Sequence, residues 1–200
     1  MAGNQFTTGG DVKAGALAQS GFSSVHSSEV YPLGTRRTQM ADEVESGKTG
    51  TIDAGTGNSG VDRDKNFALL TGDREWLFIK CVNTAIKVGD VVIRNSATPF
   101  TGQPCAANAK TKPALLGVAD NAIAVGEYGW VITKGCAVVR TDASTGGKVV
   151  AVNALIDTDG GAGAGEVATA AGTDLSVIGV TLEAADTTLA DFAQCYIDIS

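Results

Sequence analysis

The sequence predicts a mainly β protein, an antiparallel β-barrel or β-sandwich with an extended N-terminal arm. Three observations predict it. From Asp73 onward, short bulky segments alternate with turn residues, giving about eight strands of barrel or sandwich length. No helical pattern separates them, so a parallel sheet with crossover helices is not expected. Glycine is abundant, with 26 in 200 residues, and it clusters between the bulky segments.

Residues 1–30 are small and polar, with Phe6, Leu17 and Phe22 as the few large apolar side chains. Such a segment cannot close a core of its own, so it reads as an arm that lies on something else. Residues 31–72 read as a loop-rich insertion. A short helix is expected over Thr38–Glu45, where good helix formers run up to the stop at Gly47. Gly50–Gly60 is a loop, and Asn66–Leu70 is too short for periodicity to assign.

Residues 73–200 form the expected body. Trp76–Val82 is apolar on both faces, with Leu77, Ile79 and Cys81 on one side and Trp76 and Phe78 on the other. A strand of that kind belongs between two layers. Val88-Gly89-Asp90 signals a turn into the β-branched run Val91–Ile93. Three prolines, Pro99, Pro104 and Pro113, mark Asn95–Lys112 as a connection rather than a central strand. Strands follow at Leu115–Ala119, Tyr128–Lys134, Ala137–Arg140, Lys148–Val152 and Ser176–Leu182. The last one alternates, with Ala193, Cys195, Ile197 and Ile199 inward and Gln194, Tyr196, Asp198 and Ser200 outward. One internal echo stands out: Ala85-Ile86-Lys87-Val88-Gly89-Asp90 against Ala122-Ile123-Ala124-Val125-Gly126-Glu127. It suggests two similar corners of one barrel.

Composition excludes several function classes. Fifteen basic against 22 acidic side chains give a net charge of −7. A groove for nucleic-acid phosphate needs clustered Lys and Arg, so no nucleic acid is expected as a partner. Docking on an anionic membrane is disfavoured for the same reason, and no apolar run approaches the roughly 20 residues of a span. The polar start, Met1–Gly10, does not read as a secretory signal. Arg36-Arg37 is the only adjacent basic pair, and no Lys or Arg follows Gly160. The cation-richer N-terminal third therefore suits an acidic protein surface.

Catalytic and metal-binding patterns are weak. The single histidine, His26, lies in the expected arm and reads as an exposed residue, without the buried acid or nucleophile turn of a triad. Cys81, Cys105, Cys136 and Cys195 form no close pair and read as buried reduced thiols, Cys105 being the one with a chance of exposure. Asp157-Thr158-Asp159-Gly160 opens like a calcium loop but does not complete it. The ordinary reading is a solvated turn, with Asp159 and Glu166 as a weak surface cation site at most. Gly161, Gly163 and Gly165 lack the helix and the Lys of a phosphate loop. No catalytic residue, metal or cofactor is expected, and the chain does not read as an enzyme.

Several stretches together carry a resemblance. Tyr31-Pro32-Leu33-Gly34-Thr35-Arg36 is followed by Asp73–Lys80 around Trp76, then by Gly89-Asp90-Val91-Val92. Later come Leu116-Gly117-Val118-Ala119, Gly126-Glu127-Tyr128-Gly129-Trp130-Val131 and Ile178-Gly179-Val180. In this order they resemble the capsid decoration, or cement, proteins of tailed bacteriophages, over roughly residues 31–182. The segment between Thr35 and Asp73 departs from that pattern as an insertion. The resemblance implies a β-rich virion protein on the outer face of an icosahedral shell. Its partners would be the major capsid protein and copies of itself, often as a homotrimer. Phe6, Phe22, Arg36 and Arg37 are then the candidate capsid contacts. Leu33, Gly34, Thr35, Trp76, Gly89, Asp90, Gly126, Glu127, Tyr128, Gly129 and Trp130 are the family-like structural motif. The rival readings are a tail- or vertex-associated host-adhesion module, which exposed Tyr128 and Trp130 would favour, and a small β-fold hydrolase.

Overall fold

A computed structural model describes residues 25–39, 73–95, 98–106, 114–141, 153–158, 165–169, 177–182 and 192–199. Residues 1–24 of the expected arm 1–30, most of the segment between Thr35 and Asp73, and the expected strand Lys148–Val152 lie outside them. The described residues are mainly β, and no α-helix occurs among them.

The strands are β1 (Arg36–Gln39), β2 (Arg74–Cys81), β3 (Val91–Arg94), β4 (Thr101–Pro104), β5 (Leu115–Ala119), β6 (Tyr128–Arg140), β7 (Leu155–Asp157), β8 (Ala168–Thr169), β9 (Gly179–Thr181) and β10 (Phe192–Asp198). They run in the spatial order β1-β2-β4-β3-β5-β6-β10-β9-β7-β8, and β6 also pairs back onto β2. Strands β2, β4, β3, β5 and β6 therefore close a ring. Beyond it, the same sheet continues from the far half of β6 through β10, β9, β7 and β8.

Alternation along β2 divides the molecule into two cores. Leu77, Ile79 and Cys81 join Val92, Leu116, Val131, Ile86 and Ile123. This is the inside of the ring: a Cβ added to Gly102 of β4 would strike the Val92, Ile79 and Leu116 side chains from three other ring strands. Trp76 and Phe78 point the other way, into a larger core shared with Trp130, Ile132, Val139, Ile156, Ile178 and Ile197. The two-sided apolar pattern of β2 thus has the expected cause.

Four expectations about elements are corrected. Thr38 and Gln39 are strand, not helix, because their backbone pairs with Glu75 and Arg74. The Asn95–Lys112 connection contains β4, an interior strand that pairs parallel with β2 and antiparallel with β3. Pro104 is tolerated there because its missing N–H points to the β2 side, where pairing has ended at Gly102. Tyr128–Lys134 and Ala137–Arg140 are one strand, β6. Opposite Glu75 and Trp76 the register skips Thr133, so the alternation slips by one residue, and Gly135 close by takes a φ of +105°. Even-numbered Trp130 and Ile132 before it, and odd-numbered Ala137 and Val139 after it, consequently enter the same core. Finally, Asp157 and Thr158 are fully buried at the end of β7, so this is not a solvated turn.

The last strand behaves largely as its alternation requires. Ala193, Cys195 and Ile197 are buried, and Tyr196 is 40% exposed. Gln194 departs from the pattern, at 2% exposure.

Candidate interaction surface

Residues 26–39 are a strap across the β2–β6 seam of the ring. His26 and Tyr128 exchange backbone N–H donors at 2.9 Å in both directions. Gly34 donates its N–H to the Phe78 carbonyl at 2.9 Å, and Phe78 donates to the Thr35 carbonyl at 2.9 Å. Strand β1 then continues antiparallel along β2. At its end, the buried Trp76 Nε1–H donates to Gln39 Oε1 at 3.1 Å. His26 is accordingly not a freely exposed arm residue, since pairing with β6 lays its ring near Phe78, at 6.2 Å between centroids.

Under the strap lies an aromatic cluster. The Tyr31 ring meets Phe78 edge-on at 5.4 Å and Trp130 at 5.3 Å. Phe78 stacks against Tyr128 at 6.1 Å and leans on Trp130 at 5.1 Å. Edge-on and tilted rings place positive edges against negative faces. The Arg37 guanidinium sits 5.1 Å from the Tyr31 ring centre, and the Lys80 ammonium 5.1 Å from that of Tyr128. The turn that aims Tyr31 is closed by Thr35, whose N–H and Oγ1 both donate to the Pro32 carbonyl.

The motif positions of the resemblance meet in this unit. Leu33 packs on the large core. Gly34, at a φ of +85°, lies where a side chain would run into the Phe100 ring at 2.5 Å. Trp76 and Trp130 are 1% and 2% exposed. Gly129 leaves room for the Ile123 side chain, which an added Cβ would meet at 2.7 Å.

The two echo segments are also brought together. Asp90 Oδ2 accepts the Lys87 N–H at 2.8 Å, and Glu127 Oε2 accepts the Ala124 N–H at 3.1 Å. Each acid closes the turn that contains its own glycine, Gly89 or Gly126. The Gly89 N–H donates to the carbonyl of Ala119, the end of β5, and Gly126 donates likewise to Cys81, the end of β2. Each turn therefore caps the strand that leads into the other.

Asp90 has a further role that sequence reasoning missed. Its Oδ1 accepts a 2.6 Å bond from Arg140 Nη1, and Arg140 Nη2 also donates to Glu166. Burial pushes the Asp90 carboxyl up to about 6, against the lowering effects of the Lys87 N–H and Arg140. Glu166 is thus an ion-pair partner rather than a cation ligand. Asp159 lies outside the described residues. No cluster of metal-binding side chains occurs among the described residues.

All four cysteines are buried free thiols. Cys105 is fully buried, which corrects its expected exposure, because Pro104-Cys105 closes β4 onto β3 and the Cys105 N–H donates to the Val91 carbonyl. Burial pushes its thiol up to about 11 and also raises Cys81 and Cys136, away from the thiolate chemistry of a nucleophile.

The candidate capsid contacts fall into two groups. Phe6 and Phe22 lie outside the described residues. Arg36 and Arg37 lie on β1 and are exposed. Arg36 shares a cavity with Arg94 at the end of β3 and with Phe100 in the β3–β4 hairpin. The pairing of Arg36 with Arg94 was not legible in the sequence, because hairpin and strap are far apart along the chain.

No protein-family profile matches the chain, and no curated protein matches it by sequence. Among solved structures, it is similar to the N base of the head fiber gp8.5 of bacteriophage phi29. The TM-score is 0.45 at 13% identity, over 62% of this chain and 94% of that one.

Proposed function

We propose that this chain is a structural virion protein of a tailed bacteriophage. It binds the outer surface of the icosahedral capsid and stabilises contacts between major capsid subunits, acting as a homotrimer. It works on protein, without nucleic acid, membrane, cofactor or catalysis. The observation that supports this reading is the convergence of its family-like residues. Segments around Leu33, Trp76, Gly89 and Gly129 are scattered in the sequence, yet they build one unit of strap, seam and paired turns. That unit presents Arg36 and Arg37 at the surface. The phi29 protein is named as part of a head fiber; the present reading rests on the sequence resemblance instead.

The proposed mechanism is additive. Each copy buries interface across a junction between shell subunits, and that interface must break before the shell yields. Symmetric assembly lets one modest contact act several times at once. The rival adhesion reading called for exposed Tyr128 and Trp130. Trp130 is in the core, and Tyr128 is stacked on Phe78 beneath Lys80.

Quantitative mass spectrometry of purified particles tests the proposal. A copy number near that of the major shell protein, or a simple fraction of it set by three-fold sites, is the expected result. A few copies per particle would move the chain to a tail or vertex, and absence from the particle would end the reading. Arg36→Glu with Arg37→Glu is expected to weaken capsid binding at low salt, where charge attraction is least screened.

A further inference from the structure

A cavity of about 190 Å³ opens where the strap meets the β3–β4 hairpin. Its wall combines Arg36 and Arg94 with apolar Phe100, Leu115, Leu116 and Ile199. Both arginines are exposed. Among the described residues, no ion pair engages either of them. Two guanidinium groups beside an apolar hollow, with no ion-pair partner among the described residues, are notable in a chain of net charge −7. Phe100 is 36% exposed and stands on a backbone with a φ of +58°, so a large ring is held at the mouth rather than folded into either core.

A second feature adjoins the cavity. Strand β1 is the end of the sheet order. The bonds from Gly34 and Phe78 and from Phe78 and Thr35 set its register on β2. In that register Arg36 and Leu77 face each other without exchanging hydrogen bonds, so the Arg36 and Thr38 backbone groups point away from β2. Among the described residues, this edge has no strand partner.

We propose that the β1 edge and its cavity form a docking site for an extended acidic segment of a protein partner. The segment would add as a strand to β1 through main-chain hydrogen bonds. One carboxylate would bridge Arg36 and Arg94, and a neighbouring apolar side chain would fill the hollow beside Phe100. Strand addition supplies affinity, and the cavity supplies sequence preference. Guanidinium groups suit a carboxylate because their paired N–H donors match its two oxygens. Where the Proposed function holds, the segment belongs to the major capsid protein, and this identification rests on that reading.

The test uses the full chain and two fluorescent synthetic peptides, one alternating valine and aspartate and the other valine and lysine. The expected result is binding of the aspartate peptide alone, weakened at least tenfold in Arg36→Gln with Arg94→Gln and weakened again by raised salt. Unfolding midpoints of the variant and the parent should agree, since both side chains are exposed. Equal binding of the lysine peptide, or unchanged binding by the variant, would overturn the proposal. Displacement of the peptide by a single-stranded oligonucleotide of equal charge would overturn the choice of a peptide. Sedimentation with purified particles is measured in parallel. If the parent chain fails to bind particles yet keeps the aspartate peptide, the capsid reading fails and the docking site stands.

Discussion

Ile86 and Ile123 hydrogen-bond to each other through their backbones, at 3.0 Å from the Ile86 N–H and 2.9 Å from the Ile123 N–H. Both side chains are about 1% exposed and lie inside the ring. The pair sits on a local two-fold relation. On each side a strand ends, an isoleucine follows, and then a glycine turn is closed by its own acid. The connections β2–β3 and β5–β6 are thus interlocked: neither turn is complete without the other's strand end.

Because the two isoleucines share one contact, their truncations should couple. Ile86→Ala and Ile123→Ala are each expected to cost about 2–5 kcal/mol, the range for emptying a buried aliphatic site. The double variant should lose less than the sum, since the second truncation enlarges a cavity already made. Urea unfolding of the four chains measures this; strict additivity would show that the two sites act independently.

The strap is part of the fold rather than part of a detachable arm. Removal of residues 1–24 is expected to leave the unfolding midpoint of the body unchanged. Removal of residues 1–39 takes away β1, the Tyr31 ring and the acceptor of Trp76 Nε1–H. That deletion should destabilise by at least about 3 kcal/mol, from exposure of buried aromatic surface and an orphaned indole donor. Equal midpoints for both truncations would refute this division.

Two glycines separate backbone strain from steric conflict. Gly126 has a φ of +91° and nothing within 4 Å of an added Cβ, whereas at Gly135 that Cβ would lie 2.5 Å from the Asp73 carbonyl oxygen. Gly126→Ala is expected to cost about 1 kcal/mol for the left-handed backbone alone. Gly135→Ala should cost about 2–4 kcal/mol, because backbone cannot move aside cheaply. Denaturant midpoints give the ranking, and a reversed order would contradict the close approach of Gly135 to the Asp73 carbonyl.

Asp90 predicts a pH dependence with a definite sign. Its carboxyl is raised from 3.8 to about 6 in the folded chain, chiefly by burial. Between those values the folded state holds a proton that the unfolded state has released. The stability contributed by that proton is present below about pH 4 and is lost as the pH rises through 6. By linkage this amounts to about 2–3 kcal/mol. Measured from pH 4 to 7, the parent should lose that much relative to Asp90→Asn. A difference that stays flat with pH would show that the Arg140 pairing holds the carboxylate ionised throughout.

Thiol chemistry gives the last check. All four cysteines are buried, and the shift at Cys105 leaves almost no thiolate near neutral pH. The folded chain should resist a thiol reagent at pH 8, and the unfolded chain should react at all four. Fast labelling of Cys105 in the folded protein would contradict the closure of β4 onto β3.

Local pattern alone determined much of this protein. The two-sided apolar run of β2, the β-branched start of β3, all of β5, and the inward set Ala193, Cys195 and Ile197 were legible. Strand alternation and turn residues act within a few positions, so a sequence displays them directly. The echo around Gly89 and Gly126 was legible for the same reason, as two similar corners. Other features were decided by partners distant in sequence. Thr38 and Gln39 have helix-compatible neighbours but take strand form because β2 offers them an edge. Pro104 fits an interior strand because pairing with β2 stops before it. Gly135 bends a strand rather than ending it, because β2 and β10 hold β6 before and after the bend. Asp157 is buried by packing that no local pattern encodes. The Asp90–Arg140–Glu166 network and the cavity between Arg36 and Arg94 likewise exist only in the folded chain. Charges far apart in sequence meet only after the ring has closed, and their energies depend on the burial that closure creates.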